Sequence, residues 1–221
     1  MKLYKSMLVS CFTVAAAGAS GSVLADNYFS VHGAYTMADD FGFQVAPGTI
    51  ETDFDDGYGF GAALGTRLGE QGAAGRWRVE GELTLRTNDV DSHRLNGSAP
   101  LAGPTGELES TAVMLNALYD FDTGGPFTPY IGGGVGAAMV EASGFGVGAI
   151  PAVLDDDDTV LAYQLIAGAG YDLSPSTVLF AEYRWFATDD PDVTTSAATG
   201  SVDTGVEYQT SNIMVGARFM F

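Results

Sequence analysis

From Asn27 onward the chain alternates apolar and polar positions in eight stretches, roughly 27–36, 56–68, 77–88, 108–121, 127–140, 160–172, 177–187 and 207–221. In the third, Trp77, Val79, Gly81, Leu83 and Leu85 alternate with Arg78, Glu80, Glu82, Thr84 and Arg86. In the fourth, Val113, Leu115, Ala117, Tyr119 and Phe121 alternate with Met114, Asn116, Leu118 and Asp120. The sixth sets Leu161, Tyr163, Leu165, Ala167, Ala169 and Tyr171 against Gln164, Gly168, Gly170 and Asp172. The seventh sets Leu179, Ala181, Tyr183 and Trp185 against Glu182 and Arg184, and the last sets Ile213, Val215, Ala217, Phe219 and Phe221 against Met214, Gly216, Arg218 and Met220. A period of two is that of an extended strand, whose side chains point to opposite faces in turn. Strands of about ten residues or more are long for a soluble sheet and suit a tilted bilayer crossing.

The connections alternate in length. Segments 68–76, 122–126 and 172–176 are short and rich in turn formers, whereas 37–55, 89–107, 141–159 and 188–206 are long and polar. An even number of strands with short turns at one end and long loops at the other predicts an all-β fold. It is an eight-stranded antiparallel transmembrane β-barrel with three short periplasmic turns and four long extracellular loops.

Alternation alone does not say which face is outside; glycine does. Gly57, Gly59, Gly61, Ala63 and Gly65 share a face with Arg67, opposite Tyr58, Phe60, Ala62 and Leu64, and Gly132, Gly134 and Gly136 repeat the arrangement opposite Ile131, Gly133 and Val135. Small residues are needed where space is short, inside a narrow barrel that already holds Arg and Glu. Aromatics also gather at the strand ends: Trp77, Tyr119, Phe121, Phe127, Tyr171, Phe219 and Phe221 at the short turns, and Tyr35, Tyr58, Phe60, Tyr183 and Trp185 towards the long loops. Two aromatic bands are the expected interfacial girdles.

The N-terminus is of another kind. Lys2 and Lys5 precede an apolar run from Met7 to about Ala19, and Val23, Leu24 and Ala25 form a small-residue exit. This predicts a signal peptide over 1–25 followed by one barrel domain over 26–221. The run continues past Cys11, so Leu8-Val9-Ser10-Cys11 is not taken as a lipoprotein box. Cleavage removes Cys11, and with it disulfide and thiol chemistry. It also removes both lysines, leaving seven arginines against 28 acidic residues. Nucleic acid and anionic surfaces are then poor partners.

Phe127-Thr-Pro-Tyr-Ile-Gly-Gly-Gly-Val-Gly136, Met114-Leu-Asn-Ala-Leu-Tyr-Asp-Phe121 and the final strand carry a family resemblance. The chain is similar to the eight-stranded outer-membrane β-barrel domain of OmpA-type barrels and of opacity and surface-antigen proteins. Gly216, Phe219 and Phe221 resemble the C-terminal assembly signal of such barrels, with Met214 where that signal usually has a polar residue. The resemblance implies an integral outer-membrane protein of a Gram-negative bacterium. It would be a monomer inserted by the barrel assembly machinery, embedded among outer-membrane lipid and lipopolysaccharide, with no cofactor.

Candidate chemistry lies in three places. Arg67, Arg78, Arg86, Arg184 and Arg218 fall on the expected lumen face with Glu80, Glu82, Glu182, Asp120 and Asp172. They could form an ion-selective constriction or a salt-bridged plug, and the narrowness of eight strands favours the plug. His32 is expected to face the lumen and His93 to lie in the second long loop, neither inside a catalytic motif. About 20 of the acids crowd the long loops, including Asp155, Asp156, Asp157 and Asp158, which form a solvated surface or a weak divalent-cation site. The function expected is structural or surface-interacting. A narrow porin-like channel is the alternative, and a lipid-modifying enzyme comes behind both.

Overall fold

The computed structural model describes residues 27–38, 41–45, 48–72, 74–95, 104–147, 150–189 and 209–221. Eight long strands form the wall: β1 (Asn27–Ala38), β4 (Gly57–Gly72), β5 (Gly75–Leu95), β6 (Pro104–Phe121), β7 (Phe127–Val147), β8 (Ile150–Ser174), β9 (Thr177–Thr188) and β10 (Gln209–Met220). Two short strands, β2 (Phe41–Val45) and β3 (Gly48–Phe54), make a hairpin between β1 and β4. The sheet runs β2-β3-β5-β4-β1-β10-β9-β8-β7-β6, and an added β5–β6 pairing closes the last eight into a barrel. Every pairing is antiparallel; β1 meets β10 from Tyr28 opposite Met220 to Ala38 opposite Thr210.

Burial is inverted relative to a soluble protein. Arg78, Glu82, Asn116, Gln164 and Arg184 are buried, while Phe60, Leu165 and Val215 are 62–64% exposed. An apolar exterior running round a whole barrel far exceeds the few hundred Å² a soluble monomer shows, and hydrocarbon is what covers it. The inward glycines stand where a side chain has no room. A Cβ at Gly65 would lie 2.2 Å from the Tyr28 ring, and one at Gly134 would lie 2.0 Å from Asn116 Oδ1. Both girdles form: Trp77 packs edge-on to Tyr119 at 5.2 Å, and Tyr58 to Phe60 at 6.4 Å.

The long polar segments differ from expectation. Strand pairing continues through 48–54, 89–95, 104–109, 139–147 and 150–159, so much of what reads as loop is sheet. Gly and Asp lower strand propensity, yet pairing with an already anchored neighbour overrides it. His93 accordingly sits in β5 opposite Thr52, and Asp155–Asp158 sit in β8. At the opposite end β4 runs past Leu68 to Gly72 through a register shift. Asp172, expected in the lumen, is exposed near the periplasmic end of β8, opposite Val178.

Candidate functional site

The lumen is built by the inward positions of all eight strands. Arg78 and Glu80 stand two apart on β5, so they share a face and bond to each other. Arg78 Nε also donates to Asp120 Oδ1 at 3.1 Å, and Tyr28 Oη donates to Glu80 Oε1 at 2.5 Å. A second group lies across the barrel. Arg184 on β9 donates to Glu82 at 2.5 and 2.6 Å and to Glu182 at 2.7 Å. Asn116 and Thr84 also donate to Glu82, at 3.0 and 2.7 Å, and Gln164 donates to Asn116 at 2.7 Å. Tyr130 joins the two groups: its hydroxyl donates to Glu182 at 2.7 Å and its ring lies 4.7 Å beneath the Arg78 guanidinium.

Five of the eight expected network residues, Arg78, Glu80, Glu82, Glu182 and Arg184, are thus brought into ion pairs. Arg67 stands at the margin, with Nε 4.0 Å from Asp120. Arg86 stacks on Phe186 at 4.2 Å, and Arg218 lies over Tyr28, Phe180 and Tyr130 at 5.0–5.8 Å. A guanidinium is planar and weakly hydrated, so an aromatic face is a workable alternative to a carboxylate. The contribution of Tyr28 and Tyr130 goes unnoticed when charges are counted, although both have the inward parity of their strands. His32 is buried, with Nε2 unbonded and Gly61 and Gly216 beside it in the two neighbouring strands.

The expected assembly residues line the closing seam. Phe219 stacks on Phe29 at 4.9 Å, and the Phe221 amide donates to the Asn27 carbonyl at 2.9 Å while its ring is exposed. A Cβ at Gly216 would meet the Val31 carbonyl at 2.4 Å, so β10 approaches β1 with no room for a side chain there. Among the described residues, no group of three His, Cys, Asp or Glu could hold a metal ion. The carboxylates of Asp155, Asp156, Asp157 and Asp158 lie outside the described side chains.

Among the described residues the sheet extends furthest on one side of the extracellular rim. Above Asp89 opposite Glu107, β5 pairs with β3, from Val90 opposite Phe54 to Leu95 opposite Ile50. β6 continues with β7 to Pro104 opposite Val147, and β7 with β8 to Val147 opposite Ile150. Two three-stranded extensions, β2-β3-β5 and β6-β7-β8, therefore rise side by side. Across the barrel, the described parts of β9, β10 and β1 run to Thr188, from Gln209 and to Ala38.

Residues 7–219 match the model of the outer membrane protein beta-barrel domain. The chain is 30% identical over 152 residues to the putative adhesin RP828 of Rickettsia prowazekii, covering 64% of this chain and 67% of that protein. It is 26% identical over 125 residues to outer membrane protein PagN of Salmonella typhimurium, covering 52% of this chain and 51% of PagN. Neisserial surface protein A superposes with a TM-score of 0.55 at 19% identity, over 89% of this chain and 99% of that one, a likeness of fold.

Proposed function

The chain belongs to the outer membrane protein beta-barrel domain family and resides in the outer membrane of a Gram-negative bacterium; from that premise we propose that it is a surface-interaction protein whose working part is the sheet raised above the extracellular rim. The observation that carries this reading is the paired sheet raised on the β5–β8 side. Strand pairing extends the wall on the β5–β8 side well past the girdle, into a region where no bilayer needs crossing. Ordering these residues costs conformational entropy, and a rigid platform for a partner repays it by lowering the cost of binding. The relative named as an adhesin supports the same reading.

The lumen has another part in it. Each carboxylate at mid-barrel is bonded to a guanidinium, so the interior is a packed support for the wall. Catalysis has no place in this reading. The excess of acids disfavours polyanions and favours a basic partner surface. The same reading makes residues 1–25 the export signal, the barrel assembly machinery the insertion partner, and the folded protein a monomer among lipid and lipopolysaccharide.

The test is adhesion of cells displaying the protein, intact or with residues 41–54 replaced by a short Gly-Ser turn. Loss of adhesion with an unchanged heat-modifiable barrel is expected. Undiminished adhesion would remove the raised sheet from the account.

A further inference from the structure

The histidine at mid-lumen is used neither by surface interaction nor by the ion pairs beside it. His32 is 6% exposed, and among the described residues its Nε2 has no hydrogen-bond partner. Both of its cross-strand neighbours are glycines, Gly61 on β4 and Gly216 on β10. They make the room for its ring. A Cβ at Gly61 would lie 2.2 Å from Nε2, and one at Gly216 would lie 2.8 Å from the His32 Cβ. Phe180 flanks the slot edge-on, with ring centroids 6.4 Å apart. A ring nitrogen buried in this way costs stability.

The slot adjoins the central ion pairs. Glu82 and Arg86 of β5 and Glu182 and Arg184 of β9 lie within electrostatic reach of the ring. The strands directly beside it present glycine, and on β1 it stands between the inward Ser30 and Ala34. Arg218, the next inward position on β10, packs against Tyr28, Phe180 and Tyr130. The four facing charges are two carboxylates and two guanidiniums, and both carboxylates are bonded to Arg184. With a neutral imidazole that group is balanced.

Histidine changes its charge between about pH 5 and 8. A proton turns both ring nitrogens into donors. Nε2 then needs an acceptor, and the carboxylates in reach are those that hold Arg184. The group also gains an excess positive charge in a dry interior, where an uncompensated charge is costly. The ring and Arg184 compete for Glu82, whose bonds to Arg184, Asn116 and Thr84 tie β9 and β6 to β5.

We propose that His32 is a pH-sensitive switch in the lumen: a proton on its imidazole unbalances the Glu82–Arg184–Glu182 group and loosens the wall around β1. The unfolded chain takes up the same proton in water at no such cost. Stability conferred by the slot is therefore full above about pH 6.5 and is lost as the pH falls below it. This inference does not rest on the adhesive reading.

The experiment uses the full chain folded in a maltoside detergent, between about pH 7.5 and 5.5, the interval in which an imidazole titrates. Urea unfolding is followed at constant ionic strength, and the Nε–Hε signal of Arg184 is followed by nitrogen NMR. On acidification the unfolding constant of the parent should rise, approaching tenfold per pH unit for one proton, and the Arg184 signal should shift over the same interval. His32→Phe keeps a ring in the slot without a titrating nitrogen and should abolish both effects, whereas His93→Gln should keep both. A merely structural role for His32 would lower stability equally at every pH. Parallel pH profiles for the parent and His32→Phe would overturn the switch. Should His32→Phe fold poorly, the Arg184 signal of His93→Gln, whose remaining histidine is His32, decides alone: a signal unmoved across the interval would overturn the proposal.

Discussion

Glu82 accepts hydrogen bonds from Arg184, Asn116 and Thr84, and so holds three strands to one carboxylate. Glu82→Ala leaves Arg184 with Glu182 alone in a dry interior. Breaking a buried pair by removing one partner costs about 3–5 kcal/mol, so the unfolding free energy from urea titration of the folded barrel should fall by that much and lumen conductance should not rise. An unfolding free energy within about 1 kcal/mol of the parent, on the scale of an exposed pair, would mean the group is hydrated. The inward glycines make a second residue-scale case. A Cβ at Gly136 would lie 2.0 Å from the Val113 carbonyl, whereas one at Gly33, on the lipid face, has the Phe60 ring at 3.9 Å as its neighbour. Gly136→Ala should destabilise by roughly 1–3 kcal/mol, as overpacking does, and Gly33→Ala should be near neutral. Equal thermal stability of the two would contradict the argument that glycine marks the inside. Which face each charge takes was legible from parity alone. Whether Arg86 and Arg218 meet carboxylates or rings was not, because that depends on register between strands distant in sequence.

Strand β7 carries a row that sequence spacing does not reveal. Glu109 lies opposite Glu141, which places two exposed acids side by side across β6 and β7, and Asp157 of β8 is the next residue in the register. Directly opposed like charges destabilise a sheet, by amounts on the order of 0.2–1 kcal/mol per pair. Glu141→Gln should therefore slow amide hydrogen exchange across residues 139–145, most clearly at low salt, where screening is weakest. Exchange unchanged at every ionic strength would show that the row is already neutralised. At the other seam, Phe221 bonds Asn27 and Phe219 stacks on Phe29, so deleting Phe221 should reduce the heat-modifiable protein in the outer membrane and leave export to the periplasm intact. The short-turn ends of the strands were legible because turn formers and aromatics mark them. The raised ends were not, since Asp- and Gly-rich sequence reads as loop until its paired neighbour is known.

At the scale of the molecule, eight strands, an inverted interior and two girdles follow from alternation, glycine and aromatic placement. The raised sheet does not, because it depends on β3 pairing with the far end of β5, about forty residues away in sequence. The account that joins these observations is of a barrel closed by its own side chains and used at its surface. Single-channel recording in planar bilayers tests the account most directly. The purified, fully folded protein should give no stable conductance steps in molar KCl, and Glu82→Ala should give none either. Long-lived, uniform channels from the unmutated protein would contradict the packed lumen and return the barrel to the transport proteins.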